Sequence, residues 1–181
     1  MHLPVLAVIP RNRFEEEELF PLREGLEKAG RPLVVLSPSG KEATGRQRKK
    51  FMPDGMLVDW NRQPGVRGKY PAVVVLGGKG APKSLWTDEV LPQLLTDHYR
   101  AGSWIGGVGL GVAVLARAGL LEGEASAPED PDLLEVLEQA GVARSPDPIT
   151  RSGRVVSAQG AEAMASLLTD LLNHLAGSAV S

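Results

Sequence analysis

The sequence contains no cysteine among its 181 residues. Disulfide bonds, thiolate metal sites and every catalytic mechanism that depends on a thiol are therefore excluded. An excess of charge of one sign is also missing, because 20 lysine and arginine residues stand against 22 aspartate and glutamate residues, for a formal charge of -2. This balance predicts no overall field that would attract nucleic acid or an anionic membrane.

Long apolar runs are absent as well. The longest stretch of this kind, residues 104–116, is rich in glycine and shorter than the roughly 20 apolar residues that a membrane-spanning helix requires. Near the start, a short apolar run is followed by Arg11, Arg13 and four glutamates, an order unlike that of a signal peptide. We therefore expect a soluble, cytoplasmic protein with no membrane partner.

The length of the chain suits one domain with a single good core, which would bury about 70% of the surface of the unfolded chain. The composition is rich in alanine, glycine, proline and arginine and poor in asparagine and glutamine. This pattern is compatible with heat adaptation and equally with a GC-rich genome, so the sequence leaves both explanations open.

Strand-like and helix-like segments alternate along the chain. Strands are predicted at residues 3–9, 33–36, 56–59, 72–76, 104–108 and 154–157. Helices are predicted around residues 19–29, 89–100, 110–118, 130–140 and 164–175, with a polar connection at 41–50. Because parallel strands need helical crossovers, the pattern predicts a single-domain α/β protein with a doubly wound, mostly parallel sheet, a flavodoxin-like three-layer sandwich. The domain is expected to span residues 1–176, followed by a C-terminal tail at 177–181.

Ligands of such sheets bind beyond the carboxyl ends of the strands, which directs attention to the loops at 10–18, 77–82 and 108–111. Four segments in and around these loops share a family pattern: FEEEELFP at 14–21, VVVLGG at 73–78, IGGVGLGVAVLARAGLLEG at 105–123 and GRVVSAQG at 153–160. In this order they resemble the ThiJ/PfpI family of the class I glutamine amidotransferase-like superfamily.

The resemblance places glycine where the family keeps its catalytic cysteine. Counting back from Ala118 and Gly119 puts Gly109 at the cysteine position and Leu110 at the histidine position that follows it. A nucleophile elbow holds its central residue at positive φ, which glycine accepts at little cost. A compatible alternative is that Gly107, Gly109 and Gly111 allow close packing of a strand against a helix.

The resemblance also implies that Glu17, four residues before Pro21, corresponds to the family's active-site glutamate. An alternative role for Glu17 is that of an acidic residue that stabilises a helix N-terminus. The amides of Leu110 and Gly111, with those around Gly77 and Gly78, are expected to form an anion pocket left from an oxyanion hole. The predicted ligand-binding residues are therefore Glu17, Gly77, Gly78, Gly109, Leu110 and Gly111.

Other sites receive little support from the sequence. The segment GGVGLGV has Val112 where a dinucleotide fingerprint needs its third glycine. The basic run at 46–50 is expected to be a solvated loop with few aromatic residues nearby for base stacking. The histidines His2, His98 and His174 lie outside the candidate loops, and the serines Ser103, Ser126 and Ser157 lack a credible histidine partner. No cofactor, metal or nucleic acid is expected.

The sequence favours a catalytically lapsed member of the resembled family that binds a small anionic or carbonyl metabolite, or that acts as a dimeric interaction module. The alternative is a cysteine-independent hydrolase or lyase, glyoxalase-like or amidase-like, with Glu17 as general base. A third hypothesis is an unrelated flavodoxin-like binding module. A homodimer is implied by the resemblance alone.

Overall fold

A computed structural model describes residues 2–178 of the chain. Among these residues the strands are β1 (Val5–Val8), β2 (Leu33–Ser37), β3 (Ala43–Thr44), β4 (Lys50–Phe51), β5 (Gly55–Met56), β6 (Ala72–Val75), β7 (Trp104–Val108), β8 (Glu124–Ser126), β9 (Ala143–Ser145), β10 (Ile149–Ser152) and β11 (Val155–Ala158). The α-helices are α1 (Glu16–Lys28), α2 (Ala81–Ser84), α3 (Val90–Arg100), α4 (Val112–Arg117), α5 (Pro131–Gln139) and α6 (Met164–Ser178).

Seven of the strands form one sheet in the order β10-β11-β7-β6-β1-β2-β5. Each neighbouring pair is parallel except β10 with β11, which form an antiparallel hairpin at one edge. The central strand β6 consists of four apolar, fully buried residues, as expected for a parallel strand that is covered on both faces. The predicted α/β fold with a doubly wound, mostly parallel sheet is confirmed.

Helices cover both faces of this sheet. One apolar cluster joins the sheet to α1 and α6, through residues that include Leu22 and Leu171. A second cluster on the opposite face joins it to α3, α4 and α5, through residues that include Leu95, Leu115 and Leu137. The loops at the carboxyl ends of β1, β6 and β7 therefore start from a sheet that is packed on both faces.

The shortest and most polar elements differ from the sequence predictions. The connection at 41–50 contains β3 and the start of β4, and the strand predicted at 56–59 is reduced to β5 followed by a 3-10 turn at Leu57–Arg62. The pair β8–β9 and the edge strand β10 were not predicted, because strands of three or four residues with exposed polar side chains carry almost no periodicity.

Helix α6 continues through Gly177 and Ser178, the first two residues of the tail predicted at 177–181. Residues 179–181 of the predicted tail lie outside the described residues. Within residues 2–178 no helix is both long enough and apolar enough to cross a membrane.

Candidate functional site

Three loops meet at the carboxyl ends of the central strands. The residues after β1 lead into α1, Gly77 and Gly78 follow β6, and Gly109 follows β7. The register pairs Val8 with Val75 and Val75 with Gly107, so the three strands end at the same edge of the sheet. The convergence expected from the sequence is therefore present, and it brings together residues about 90 positions apart in the chain.

Gly109 lies at the turn from β7 into the following helix. Its φ is +57°, and a 3-10 turn at Gly109–Gly111 leads directly into α4. A Cβ placed on Gly109 would lie 3.0 Å from Oε2 of Glu18 and 3.7 Å from the carbonyl oxygen of Gln159. The backbone of Gly109 thus has the conformation of an elbow, and any side chain at this position would start next to the Glu18 carboxyl group.

Glu18 is the acidic side chain at the bottom of the site. It is 4% exposed, and its Oε1 accepts a hydrogen bond of 2.7 Å from the Gly77 amide. Burial raises the pKa of Glu18 to about 8, against the opposing effect of the Gly77 amide, and the charges of Glu15 and Glu162 raise it further. At neutral pH the carboxyl group is therefore largely protonated, and because Oε1 accepts from Gly77, the proton belongs on Oε2, which faces Gly109.

Glu17, which the resemblance pointed to, lies one residue away from this position. Its side chain is exposed, and its Oε1 accepts only a long hydrogen bond of 3.4 Å from Nε2 of Gln47. Successive residues of a helix are turned by about 100°, so neighbours in α1 cannot both face Gly109. The spacing of Glu18, Leu22 and Leu26, all buried and four residues apart, was the signal in the sequence that favoured Glu18.

The space above Gly109 is an open cleft of about 400 Å³, called here the Gly109 cleft. Four of the six residues predicted to bind ligand line it: Glu17, Gly78, Gly109 and Leu110. Gly77 and Gly111 are buried behind the wall, and the Gly77 amide is engaged by Glu18 rather than directed to a ligand. The sequence predictions did not include several other lining residues, namely Glu15, Glu18, Arg46, Lys79, Pro128, Gln159, Gly160, Ala161 and Glu162.

The back wall of the cleft depends on a close approach between two loops. A Cβ placed on Gly77 would lie 2.7 Å from the Val108 carbonyl oxygen and 2.8 Å from the Leu110 nitrogen, so only glycine fits there. The Leu110 carbonyl oxygen accepts a hydrogen bond of 2.7 Å from Nε1 of Trp86, which anchors the turn from the other side. The elbow is held in place by these contacts.

The side chains considered as other catalytic groups have structural roles. Ser103 donates a hydrogen bond to the Tyr70 carbonyl oxygen, and the hydroxyl of Ser157 accepts from the Ser126 amide. None of the three histidines lines the Gly109 cleft. Within the described part of the chain no group of three or more histidine, aspartate and glutamate side chains could hold a metal ion.

Comparison with known proteins assigns the family. The DJ-1/PfpI family matches the chain over residues 5–174. The chain belongs to the DJ-1/PfpI family. An uncharacterised protein of Methanocaldococcus jannaschii is 30% identical over 156 residues, which cover 86% of this chain and 74% of that relative. The resemblance to ThiJ/PfpI proteins seen in the sequence is confirmed.

Solved structures of the family share the fold. A ThiJ/PfpI domain protein from Brachyspira murdochii superposes with a TM-score of 0.86 at 21% identity, covering 98% of this chain and 99% of that chain. The DJ-1beta protein of Drosophila melanogaster superposes with a TM-score of 0.80 at 20% identity, covering 98% and 92% of the two chains. At these identities the likeness concerns the fold, and the function has to be argued from the site.

Proposed function

We propose that this DJ-1/PfpI protein has lost nucleophilic catalysis and binds a small anionic or carbonyl metabolite in the Gly109 cleft. One observation carries the proposal: the elbow and the buried acid are both present, with 3.0 Å between the Glu18 Oε2 and the Cβ position of residue 109, and no thiol stands between them. The volume that a nucleophile would occupy is thereby left to a ligand.

The electrostatics of the cleft suit an oxygen-rich ligand. A protonated Glu18 donates a hydrogen bond from Oε2 to a carbonyl or carboxylate oxygen above Gly109. Lys79 lines the same cleft and forms no ion pair, whereas Arg46 is paired with Glu15, and the exposed side chains of Glu17 and Glu162 also line the cleft. A small 2-oxo acid, with a carbonyl group next to a carboxylate, combines the two features and is the simplest probe.

A second candidate function is proton transfer by Glu18. The pKa of about 8 lies close to neutral pH, where a carboxyl group can exchange its proton in either direction, and such a base contributes on the order of 10² to 10⁴-fold to a rate. On this hypothesis the protein is the cysteine-independent hydrolase or lyase that the sequence analysis gave as the alternative. Glu18 then takes the role of general base that was assigned there to Glu17.

Two substitutions of Glu18 separate these candidates. Glu18→Gln keeps an acceptor for the Gly77 amide and a donor toward Gly109, so binding of pyruvate or glyoxylate in isothermal titration is expected to persist, whereas any turnover of 2-oxoaldehydes would disappear. Glu18→Leu removes the donor and is expected to weaken binding by about tenfold, since a hydrogen bond involving a charged group contributes about 1.5 to 3 kcal/mol. Glu24→Gln is the matched control, because this glutamate of α1 is exposed and lies outside the Gly109 cleft.

The outcomes decide between the functions. Binding without turnover, sensitive to Glu18→Leu alone, supports the lapsed binding protein. Turnover of a 2-oxoaldehyde that Glu18→Gln abolishes supports the enzyme. If no 2-oxo acid binds at millimolar concentration, the metabolite proposal is overturned and the interaction module remains.

We also propose a homodimer in the cytoplasm, which rests on the family resemblance. Light scattering on the purified chain tests the dimer: twice the mass of the chain supports it, and the mass of one chain contradicts it.

A further inference from the structure

Beside the Gly109 cleft lie two further clefts that are lined by cations and by no acidic side chain; they are called here the basic clefts. The first has a volume of about 510 Å³ and is lined by Asn12, Arg13, Thr44, Gly45, Arg46, Arg48 and Lys79. The second has a volume of about 350 Å³ and is lined by Arg11, Asn12, Arg13, Lys79, Gly80, Lys83 and Ser84. Both volumes lie in the range of small-molecule sites.

Most of these cations lack a carboxylate partner. Arg46 forms a two-pronged ion pair with Glu15, with distances of 2.8 and 3.1 Å. Among residues 2–178, no ion pair involves the remaining lining cations: Arg11, Arg13, Arg48, Lys79 and Lys83. A chain with a formal charge of -2 therefore gathers five uncompensated positive side chains around two connected clefts. Their mutual repulsion is relieved when an anion binds between them.

Two of the arginines occupy a strained backbone conformation. Arg13 has a φ of +54° and Arg48 has a φ of +70°, and within the described chain they are the only residues other than glycine with positive φ. This conformation costs an ordinary residue on the order of 1 kcal/mol or more, and it persists where the surroundings enforce it. Both strained residues line the same cleft, so the strain coincides with a place where two cations are brought together.

Hydrogen bonds to Glu16 enforce the strained backbone of Arg48. The buried carboxylate of Glu16 accepts from the backbone amides of the two residues that flank Arg48, at 2.7 Å from Gln47 and 3.2 Å from Lys49. These bonds lower the pKa of Glu16, although burial acts in the opposite direction. A buried charge in α1 therefore fixes the loop that carries Arg46 and Arg48.

Arg13 is fixed from two sides. Its amide donates to the Thr44 carbonyl oxygen at 2.7 Å, and its own carbonyl oxygen accepts from the Gly80 amide at 3.3 Å. The side chain of Asn12 accepts from the Thr44 amide at 3.1 Å, which adds a second bond to the same loop. The cations are therefore presented by a preorganised backbone, which reduces the entropy that a ligand loses on binding.

From this arrangement we infer that the basic clefts form a phosphate-binding site for a small phosphorylated metabolite. Arginine matches the oxygens of a phosphate group in a forked geometry, and several arginines around one cleft suit a group with two negative charges better than a single carboxylate. No aromatic side chain lines either cleft, so base stacking, which single-stranded nucleic acid requires, is not provided. The basic clefts share Arg46 and Lys79 with the Gly109 cleft, but neither Glu18 nor Gly109 lines them, so the inference does not depend on the proposed function.

The experiment uses inorganic phosphate, pyrophosphate and tripolyphosphate as probes, titrated into the full-length protein at low and at physiological ionic strength. We expect binding that strengthens with each added phosphate, weakens with salt, and exceeds that of citrate as a carboxylate of similar charge. Glucose 6-phosphate and adenosine monophosphate then distinguish a sugar phosphate from a nucleotide as the source of the phosphate group.

Two substitutions test the assignment to the basic clefts. Arg13→Asn and Arg48→Asn remove the charge and retain a residue that tolerates positive φ, and each is expected to weaken tripolyphosphate binding by about tenfold. Arg67→Asn removes an exposed loop arginine outside both clefts and is expected to leave binding unchanged. Glu18→Gln is also expected to leave it unchanged, so failure of the phosphate site and failure of the proposed function give different results.

Three results would overturn the inference. The first is no binding of tripolyphosphate at millimolar concentration in low salt. The second is an equal loss of binding in Arg67→Asn, which shows a general effect of charge. The third is affinity for a single-stranded oligonucleotide that rises with its length and exceeds that for tripolyphosphate. If an asparagine variant does not fold, Arg13→Gly and Arg48→Gly, which relieve the strain, provide the same measurement.

Discussion

Two neighbouring parts of the same sheet edge differ in where they hold strain and charge. In the Gly109 cleft the residue at the elbow is glycine, which adopts positive φ without strain, and the one buried acid is largely neutral. In the basic clefts Arg13 and Arg48 adopt positive φ at a cost, and their charges are uncompensated. Backbone strain is thus present in the basic clefts, where Arg13 and Arg48 are exposed to solvent. It is absent at Gly109, the position at which the family keeps its nucleophile.

The two clefts differ in what maintains their backbone conformation. A relaxed elbow needs no compensating interaction, whereas strained arginines persist only because Glu16, Thr44 and Gly80 hold their loops.

The largest expected effect is the dependence of stability on the ionisation of Glu18. Its pKa is raised in the folded state to about 8 from an ordinary value near 4.5, so between these values the folded protein binds more protons than the unfolded one. The contribution to stability is therefore fully present below about pH 4.5 and is lost as the pH rises through 8, at about 1.4 kcal/mol for each unit.

Urea unfolding at a series of pH values measures this effect, with Glu18→Gln as the variant in which the fall with pH disappears. A Glu18→Gln protein whose stability still falls with the wild-type slope between pH 5 and 8 would show that Glu18 is ionised in the folded state, contrary to the assigned pKa.

A second effect concerns the close approach that builds the basic clefts. A Cβ on Gly80 would lie 1.7 Å from the Asn12 carbonyl oxygen, which belongs to the backbone and cannot rotate away. We expect Gly80→Ala to reduce the free energy of unfolding by about 3 kcal/mol and to abolish phosphate binding.

Gly30→Ala is the control, because Gly30 has a φ of +69° and open space around its Cβ position. Its cost should be limited to about 1 kcal/mol from backbone strain. Equal losses in the two variants, measured by urea unfolding, would contradict the close packing of the 10–14 loop against Gly80.

The smallest effect comes from His98, which is fully buried in α3 beside Trp60 and Tyr70 and whose Nε2 has no hydrogen-bond partner. Burial lowers the pKa of His98, with the Lys69 charge acting in the same direction, while a hydrogen bond to the Leu94 carbonyl oxygen opposes it. The group therefore stabilises the fold above the ordinary value near 6.5, and this contribution is lost as the pH falls below it.

His98→Phe is expected to reduce the acid-side loss of stability between pH 7 and 5, because phenylalanine has no proton to bind on unfolding. Thermal unfolding at the two pH values measures it. His2→Phe, at an exposed position, serves as the control, and an unchanged acid-side slope in His98→Phe would refute this role for His98.

Much of the fold and part of the site could be predicted from the sequence. Runs of apolar residues such as Ala72–Val75, which lead into a glycine-rich loop, predicted the parallel core, and counting from Gly119 placed Gly109 at the turn. The resemblance pointed to Glu17, and Glu18 was not considered; the four-residue spacing of Glu18, Leu22 and Leu26 along the buried face of α1 is the signal that distinguishes the two glutamates.

The basic clefts could not be predicted, because they depend on long-range contacts between unpatterned loops. Arg46 and Arg48 were expected in a solvated loop, and they line a cleft only because the loop is joined to residues 12–14 and to Glu16. No periodicity in the sequence records such hydrogen bonds. Strain at Arg13 and Arg48 likewise becomes visible only in the backbone angles.

The most direct test of the lapsed elbow is to restore its side chain. In Gly109→Cys the new thiol is expected to lie next to the Glu18 carboxyl group, at a cost of about 1 to 2 kcal/mol in stability from the positive φ. The rate of alkylation by iodoacetamide, measured against pH, reports the pKa of this thiol. We expect the inflection to lie below the ordinary value of about 8.5, because protonated Glu18 donates a hydrogen bond to the thiolate. It should return toward that value when Glu18→Leu is added but not when Glu17→Leu is added, whereas one common inflection in all three proteins would contradict the elbow beside Glu18.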